Sequence, residues 1–156
     1  MSEKDGYLLW FDGEPDGVLC GKYGKIIVFS SLPKLQLYSD KHELELSKDE
    51  PVDYEFDTLQ KWCSQPKKEN VDCKLFLDAW NLFVDIAISS SKGTETFRAL
   101  NGSNDIIYKK LFYGNNLPSV TPPDCTYVPE WTTEEVSTLS ELFKEGLSMF
   151  SKKAAF

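Results

Sequence analysis

Residues 72–89 read D-C-K-L-F-L-D-A-W-N-L-F-V-D-I-A-I-S, and this stretch decides the fold. Lys74, Asp78, Asn81 and Asp85 recur at spacings of four, three and four, which aligns them as one narrow polar stripe on a helix. Leu75, Phe76, Ala79, Leu82, Phe83, Ile86 and Ala87 take the other faces. A helix so broadly apolar must be covered on most sides. Asp72 offers an N-cap, and the run Ser89-Ser90-Ser91-Lys92-Gly93 stops the helix. The reading is a central buried helix over 72–89, with the rest of the chain built around it.

Upstream, the aromatic run Tyr7–Phe11 predicts a first strand, and 12–17 form a loop with two Asp-Gly turn signals. Val18–Tyr23 and Lys25–Ser30 flank Gly24, which predicts either a hairpin or one bent strand. Leu35–Ser39 and Glu43–Leu46 alternate polar with apolar residues, the period-two sign of half-buried antiparallel strands. Pro51 breaks the pattern, and a helix is expected from Asp53 or Phe56 to Ser64, ended by Gln65-Pro66. Downstream, short helices are expected at Thr94–Leu100 and Asp105–Tyr113. The segment 115–129 carries Pro118, Pro122, Pro123 and Pro129 and is expected to be irregular. Thr132 and Glu135 form a capping box for the last helix, with Trp131 placed to staple onto Val136. The apolar face of that helix is Leu139, Leu142, Phe143, Gly146, Leu147 and Phe150, with Lys152 and Lys153 at its C-terminal end. The expected class is α+β, an N-terminal antiparallel β-meander packed against a C-terminal helical half, in one domain spanning 1–156.

Composition narrows the function. An aromatic content of 13% fits an ordered globular chain. Residues Met1–Gly6 lack the basic start and apolar run of a secretion signal, and no apolar run is long enough to span a bilayer. Cys20, Cys63, Cys73 and Cys125 are too scattered for a zinc site or a disulfide framework, which predicts reduced thiols in the cytoplasm. The net charge of −8 is uneven: residues 1–57 hold thirteen acids against six lysines. Such a balance argues against nucleic acid and anionic membrane as partners, since both need basic protein surface. A cationic partner fits, and a merely solubilising acidic surface is the plain alternative.

Chemistry has few candidates. His42, the only histidine, lies in Lys41-His42-Glu43 at the expected edge of an exposed strand, a poor setting for a general base. No nucleophile elbow, Walker loop or dinucleotide fingerprint occurs, and Gly21–Lys25 lacks the helix start that a phosphate cradle needs. Asp12, Glu14, Asp16 and Gly17 match the start of a calcium loop, but Tyr23 stands where the bidentate glutamate belongs. Carboxylate pairs such as Asp53 with Asp57, or Asp78 with Asp85, are available for acid–base work, although the second pair also reads as the polar edge of the core helix. No metal or cofactor is expected. The amides of Asn115 and Asn116 either meet a partner or, more simply, tie two helices together.

The run Ile107-Tyr-Lys-Lys-Leu-Phe-Tyr-Gly-Asn-Asn-Leu-Pro-Ser-Val-Thr-Pro, with Tyr127-Val-Pro-Glu-Trp-Thr, the Glu-rich last helix and the aromatic core helix, resembles bacterial contact-dependent growth inhibition immunity proteins. The resemblance covers roughly the C-terminal half. It implies a cytoplasmic, non-catalytic protein that binds the C-terminal toxin domain delivered by a neighbouring cell, a basic nuclease, with an RNase favoured. A nuclease cleft is basic because its substrate is not, so an inhibitor covering it gains from acids placed opposite. The expected contact residues are Asp40, Glu43, Glu45, Asp49, Glu50 and Asp53, then Asp12, Glu14 and Asp16. Tyr38 and Tyr54 are the expected aromatic anchors. A small enzyme using His42 and carboxylates, or a non-catalytic adaptor domain, are the rival readings.

Overall fold

The computed structural model describes residues 5–90 and 92–155; Ser91 and most of the N-terminal hexapeptide discussed above fall outside them. Asp72 caps the core helix as expected, its Oδ1 accepting the Leu75 N–H at 3.0 Å. Helix α3 runs Cys73–Ser90 and buries Phe76, Leu77, Ala79, Trp80, Leu82, Phe83, Ile86 and Ala87. Rings from other helices close on it edge to face: Trp62 meets Phe76 at 4.7 Å, Phe143 meets Phe76 at 5.0 Å, and Phe97 meets Phe83 at 6.0 Å.

Five further α-helices are formed among the described residues, and the four of them that follow Pro51 pack against α3. The five are α1 (Leu32–Lys41), α2 (Phe56–Ser64), α4 (Glu95–Gly102), α5 (Asp105–Gly114) and α6 (Thr133–Lys153). Helix α6 starts on the predicted capping box, with Thr132 and Glu135 each serving the other's backbone N–H. Both Trp131 and Val136 are buried in the same core. Gly146 lets α6 approach closely, because a Cβ there would run into the Phe83 ring. Between α5 and α6 the proline-rich segment is irregular, as predicted. Asn116, at φ +50°, clamps Tyr127 from both sides: its Nδ2 donates to the Tyr127 carbonyl at 3.0 Å and its Oδ1 accepts the Tyr127 N–H. The Asn115 amide donates to the carbonyls of Cys73 and Leu111. These two side chains tie the segment down.

The sheet is much smaller than predicted. Strands β1 (Trp10–Phe11) and β2 (Gly17–Val18) pair antiparallel, with Trp10 opposite Val18. Cys20 bridges Ile26 across a turn at Gly21–Lys25, which resolves the Gly24 region as a hairpin, and Tyr7 bridges Phe29. Strand β3 (Ile26–Ile27) pairs in parallel with β4 (Ala154–Ala155), a contribution from the chain's end that the sequence reading lacked. Two serines of α3 hold this assembly: Ser89 Oγ accepts the Val18 N–H and Ser90 Oγ donates to the Gly24 carbonyl, both at 3.0 Å. Gly24, at φ +68°, is where the turn meets the α3 backbone, and a side chain there would strike the Ser90 carbonyl.

The strands expected at Leu35–Ser39 and Glu43–Leu46 are not formed. The first is the middle of α1, which buries Leu35 and Ser39, one helical turn apart, and leaves Leu37 70% exposed. Alternation over five residues is satisfied equally by a helix with a single buried edge. The second lies in the irregular segment joining α1 to α2. No long meander exists among the described residues; the class is mixed helix and strand, dominated by helix. No described helix is long and apolar enough to cross a membrane.

Candidate functional site

Two acidic stretches can be followed on the molecule. The first follows α1. Asp40 sits on its last turn, and Glu43, Glu45, Asp49, Glu50 and Asp53 follow on the connecting segment, all exposed. Among the described residues none of the six forms an ion pair. Exposed Leu37, Leu44 and Val52 are interleaved with them. The segment starts from a fixed geometry. Leu44 N–H bonds the Ser39 carbonyl at 2.9 Å and Glu43 N–H bonds the Asp40 carbonyl at 3.3 Å, the pairing of a Schellman helix end. The position that glycine normally fills in that motif is Glu43, held at φ +54°. Tyr38 is half-buried, with Phe29 at 5.2 Å and His42 at 4.2 Å, so its ring braces α1 rather than standing free. His42 is exposed and stacked on Tyr38, without a carboxylate in ion-pair range among the described residues.

The second surface lies along the polar stripe of α3. Its members have separate fates. Lys74 pairs with Asp78 at 2.7 Å, and Asn81 Oδ1 accepts the Tyr108 hydroxyl at 2.9 Å. Asp85 has no cation among the described residues. It sits part-buried beside Trp10 and within reach of the Asp16 charge. Burial drives its pKa above the ordinary aspartate value and Asp16 adds to this, while the Trp10 indole, as a donor, offsets part of it. Tyr54 belongs to the same neighbourhood, 6.2 Å from the Trp10 ring. Burial, then the charges of Asp78 and Asp85, push the Tyr54 phenol far above its usual range. Tyr108 is shifted the same way by burial, partly offset by Asn81. Trp10 and Phe11 are 39% and 50% exposed, and Phe11 lies across Gly17 against Ser89, where a Cβ on Gly17 would strike both.

The predicted set is therefore divided. Asp16 and Tyr54 join the α3 surface, and Asp40–Asp53 form the other. Asp12 and Glu14 are exposed in the loop before β2, while Asp16 Oδ1 accepts the Gly13 N–H at 2.8 Å, as in a turn. Among the described residues no three His, Cys, Asp or Glu side chains converge as metal ligands would. Burial raises the pKa of the Cys20 and Cys73 thiols and pushes that of Cys63 up to about 11, the opposite of what activates a nucleophilic cysteine. Two open grooves, of about 330 Å³ beside Trp62 and about 560 Å³ beside Ser140, contain none of the predicted residues. Sequence reasoning missed Asp85, Trp10 and Phe11 as neighbours. The available signal was a pair of large aromatics on a strand next to an acidic turn. Comparison with protein families, curated proteins and solved structures yields no match for this chain.

Proposed function

We propose that this protein neutralises a cationic toxin domain, a nuclease and foremost an RNase, by binding it directly with its acidic N-terminal surface. One observation carries the reading: Asp40, Glu43, Glu45, Asp49, Glu50 and Asp53 are all exposed and, among the described residues, none is spent on an ion pair within the fold. Charges left available in this way steer a basic partner and complement it on contact. Glu43 adds weight. A non-glycine residue in the left-handed region is costly, and such costs are commonly met where a side chain serves function. Leu37, Leu44 and Val52 supply apolar contact among the acids, the mixture that a protein partner needs and a simple solubilising surface does not. In this reading the protein acts in the cytoplasm, covers the toxin's active-site cleft and transforms no substrate.

The test is binding to the toxin domain encoded beside it. Reversing Glu43, Glu45, Asp49 and Glu50 to lysine is expected to weaken that binding at least tenfold while leaving the unfolding midpoint close to the parent's. Equal binding by the reversed protein refutes the assignment of this surface.

A further inference from the structure

Around Asp85 the molecule combines two features that folding usually avoids: large aromatic faces left open and a part-buried carboxylate with no ion-pair partner among the described residues. Trp10 and Phe11 are successive residues of a two-residue strand, Trp10 turned to Tyr54 and Phe11 to Gly17; they remain 39% and 50% open, and Ile88, one turn beyond Asp85 on α3, is also exposed. A large aromatic left open beside a carboxylate offers a partner both apolar area and charge. The charges acting on Asp85 and Tyr54 are acidic, from Asp16, Asp78 and Asp85; Lys74 pairs with Asp78, and among the described residues Asp85 and Asp16 form no ion pair.

We propose that this face docks a basic protein segment, with an arginine side chain of the partner seated on the Asp85 carboxylate against the Trp10 and Tyr54 rings. The proposal rests on the reading of a cationic protein partner and adds a second, more specific point of attachment to it. Chemistry selects the occupant. A hydrated metal ion needs several converging oxygens, and among the described residues no group of three potential ligands converges. Nucleic acid is repelled by the same charges. Arginine fits on both counts, since its planar guanidinium pairs with a carboxylate through two parallel hydrogen bonds and stacks on aromatic faces. It is also less strongly hydrated than the lysine ammonium, so seating it in a part-buried position costs less.

The test uses the intact chain and the Trp10 indole N–H as an NMR reporter, titrated with N-acetyl-arginine amide. Its citrulline counterpart has the same shape without the charge, and N-acetyl-lysine amide keeps the charge without the plane. A saturable arginine-dependent shift of Trp10 is expected, with Trp62, Trp80 and Trp131 unmoved, no response to citrulline and a weaker one to lysine. Asp85→Asn should weaken the arginine response at least tenfold. Trp10→Ala, followed through backbone signals of α3, should do the same if Asp85→Asn alters the fold. No arginine response in the parent, an equal response to citrulline, or unchanged affinity in Asp85→Asn overturns the proposal. Because the probe is a single amino acid, failure here leaves toxin binding through Asp40–Asp53 intact, and failure of toxin binding leaves the arginine seat measurable by itself.

Discussion

Asp85 and Glu43 each occupy a place that another residue would fill at lower cost. The folded-state pKa of Asp85 lies above its ordinary value of 3.8, chiefly through burial. Its contribution is therefore favourable below the unfolded value and is lost as pH rises through the raised folded value. Asp85→Asn is expected to stabilise the fold at neutral pH by up to about 1 kcal/mol, a modest figure because solvent still screens the carboxylate. In denaturant melts from pH 3 to 7 this gain should vanish on the acidic side; a loss of stability at pH 7 contradicts the sign. Glu43→Gly should likewise stabilise, by roughly 0.5–1 kcal/mol, because the left-handed strain exceeds the extra chain entropy of glycine. Urea denaturation checks it, and a destabilised variant would show that the Glu43 side chain holds the turn. The misreading of this region follows from the same residue. Without a glycine after Lys41 there is no stop signal for α1, so five alternating residues read as a strand. The acids themselves were legible as charge, but Asp85 reads in the sequence as the wet edge of a helix or as half of a carboxylate pair with Asp78, because nothing local says that Trp10 packs beside it.

At the scale of elements, the helices after Pro51 were legible because each carries its own boundary chemistry. Asp72 caps α3, Gln65-Pro66 ends α2, and Thr132 with Glu135 starts α6. The capping box does more than start a helix. Lys110 of α5 donates to both Glu135 oxygens at 2.7 and 2.8 Å and to the Glu130 carbonyl, so one carboxylate caps α6 and fastens α5 to it. Burial opposes the Glu135 charge, but Lys110 and the Thr132 amide prevail and hold its pKa below the ordinary 4.5. The stability from this group is present above that value and is lost as pH falls through the lowered one. Thr132→Ala is expected to cost about 1 kcal/mol and Glu135→Ala about 2–3 kcal/mol, since the second also strands a part-buried ammonium. Equal losses in thermal unfolding at pH 7 would mean that Lys110 adds nothing. Strand β4 was not legible at all. Ala154-Ala155 has no strand propensity, and only the closeness of Ile26 and Ile27 in space makes it one.

For the whole molecule, a helix covered on nearly every side fixes the architecture, and the remaining question is what the unspent charge does. Thirteen of the twenty-five acids fall in the first 57 residues, which balance to −7 of the net −8. Among the described residues the ion pairs lie elsewhere, at Lys74–Asp78, Lys109–Asp105 and Lys110–Glu135. The N-terminal acids outnumber their lysines about two to one, and a cationic surface relieves the remaining repulsion on contact. Binding governed in this way weakens with salt, because exposed charges are screened within about 8 Å at physiological ionic strength. The most direct measurement is calorimetric titration of the neighbouring toxin domain into the parent and into the protein reversed at Glu43, Glu45, Asp49 and Glu50, at low and high salt. The account predicts tight, salt-weakened binding by the parent and at least a tenfold loss, with a flatter salt dependence, in the reversed protein. Identical affinities and identical salt dependence for the two proteins would contradict it.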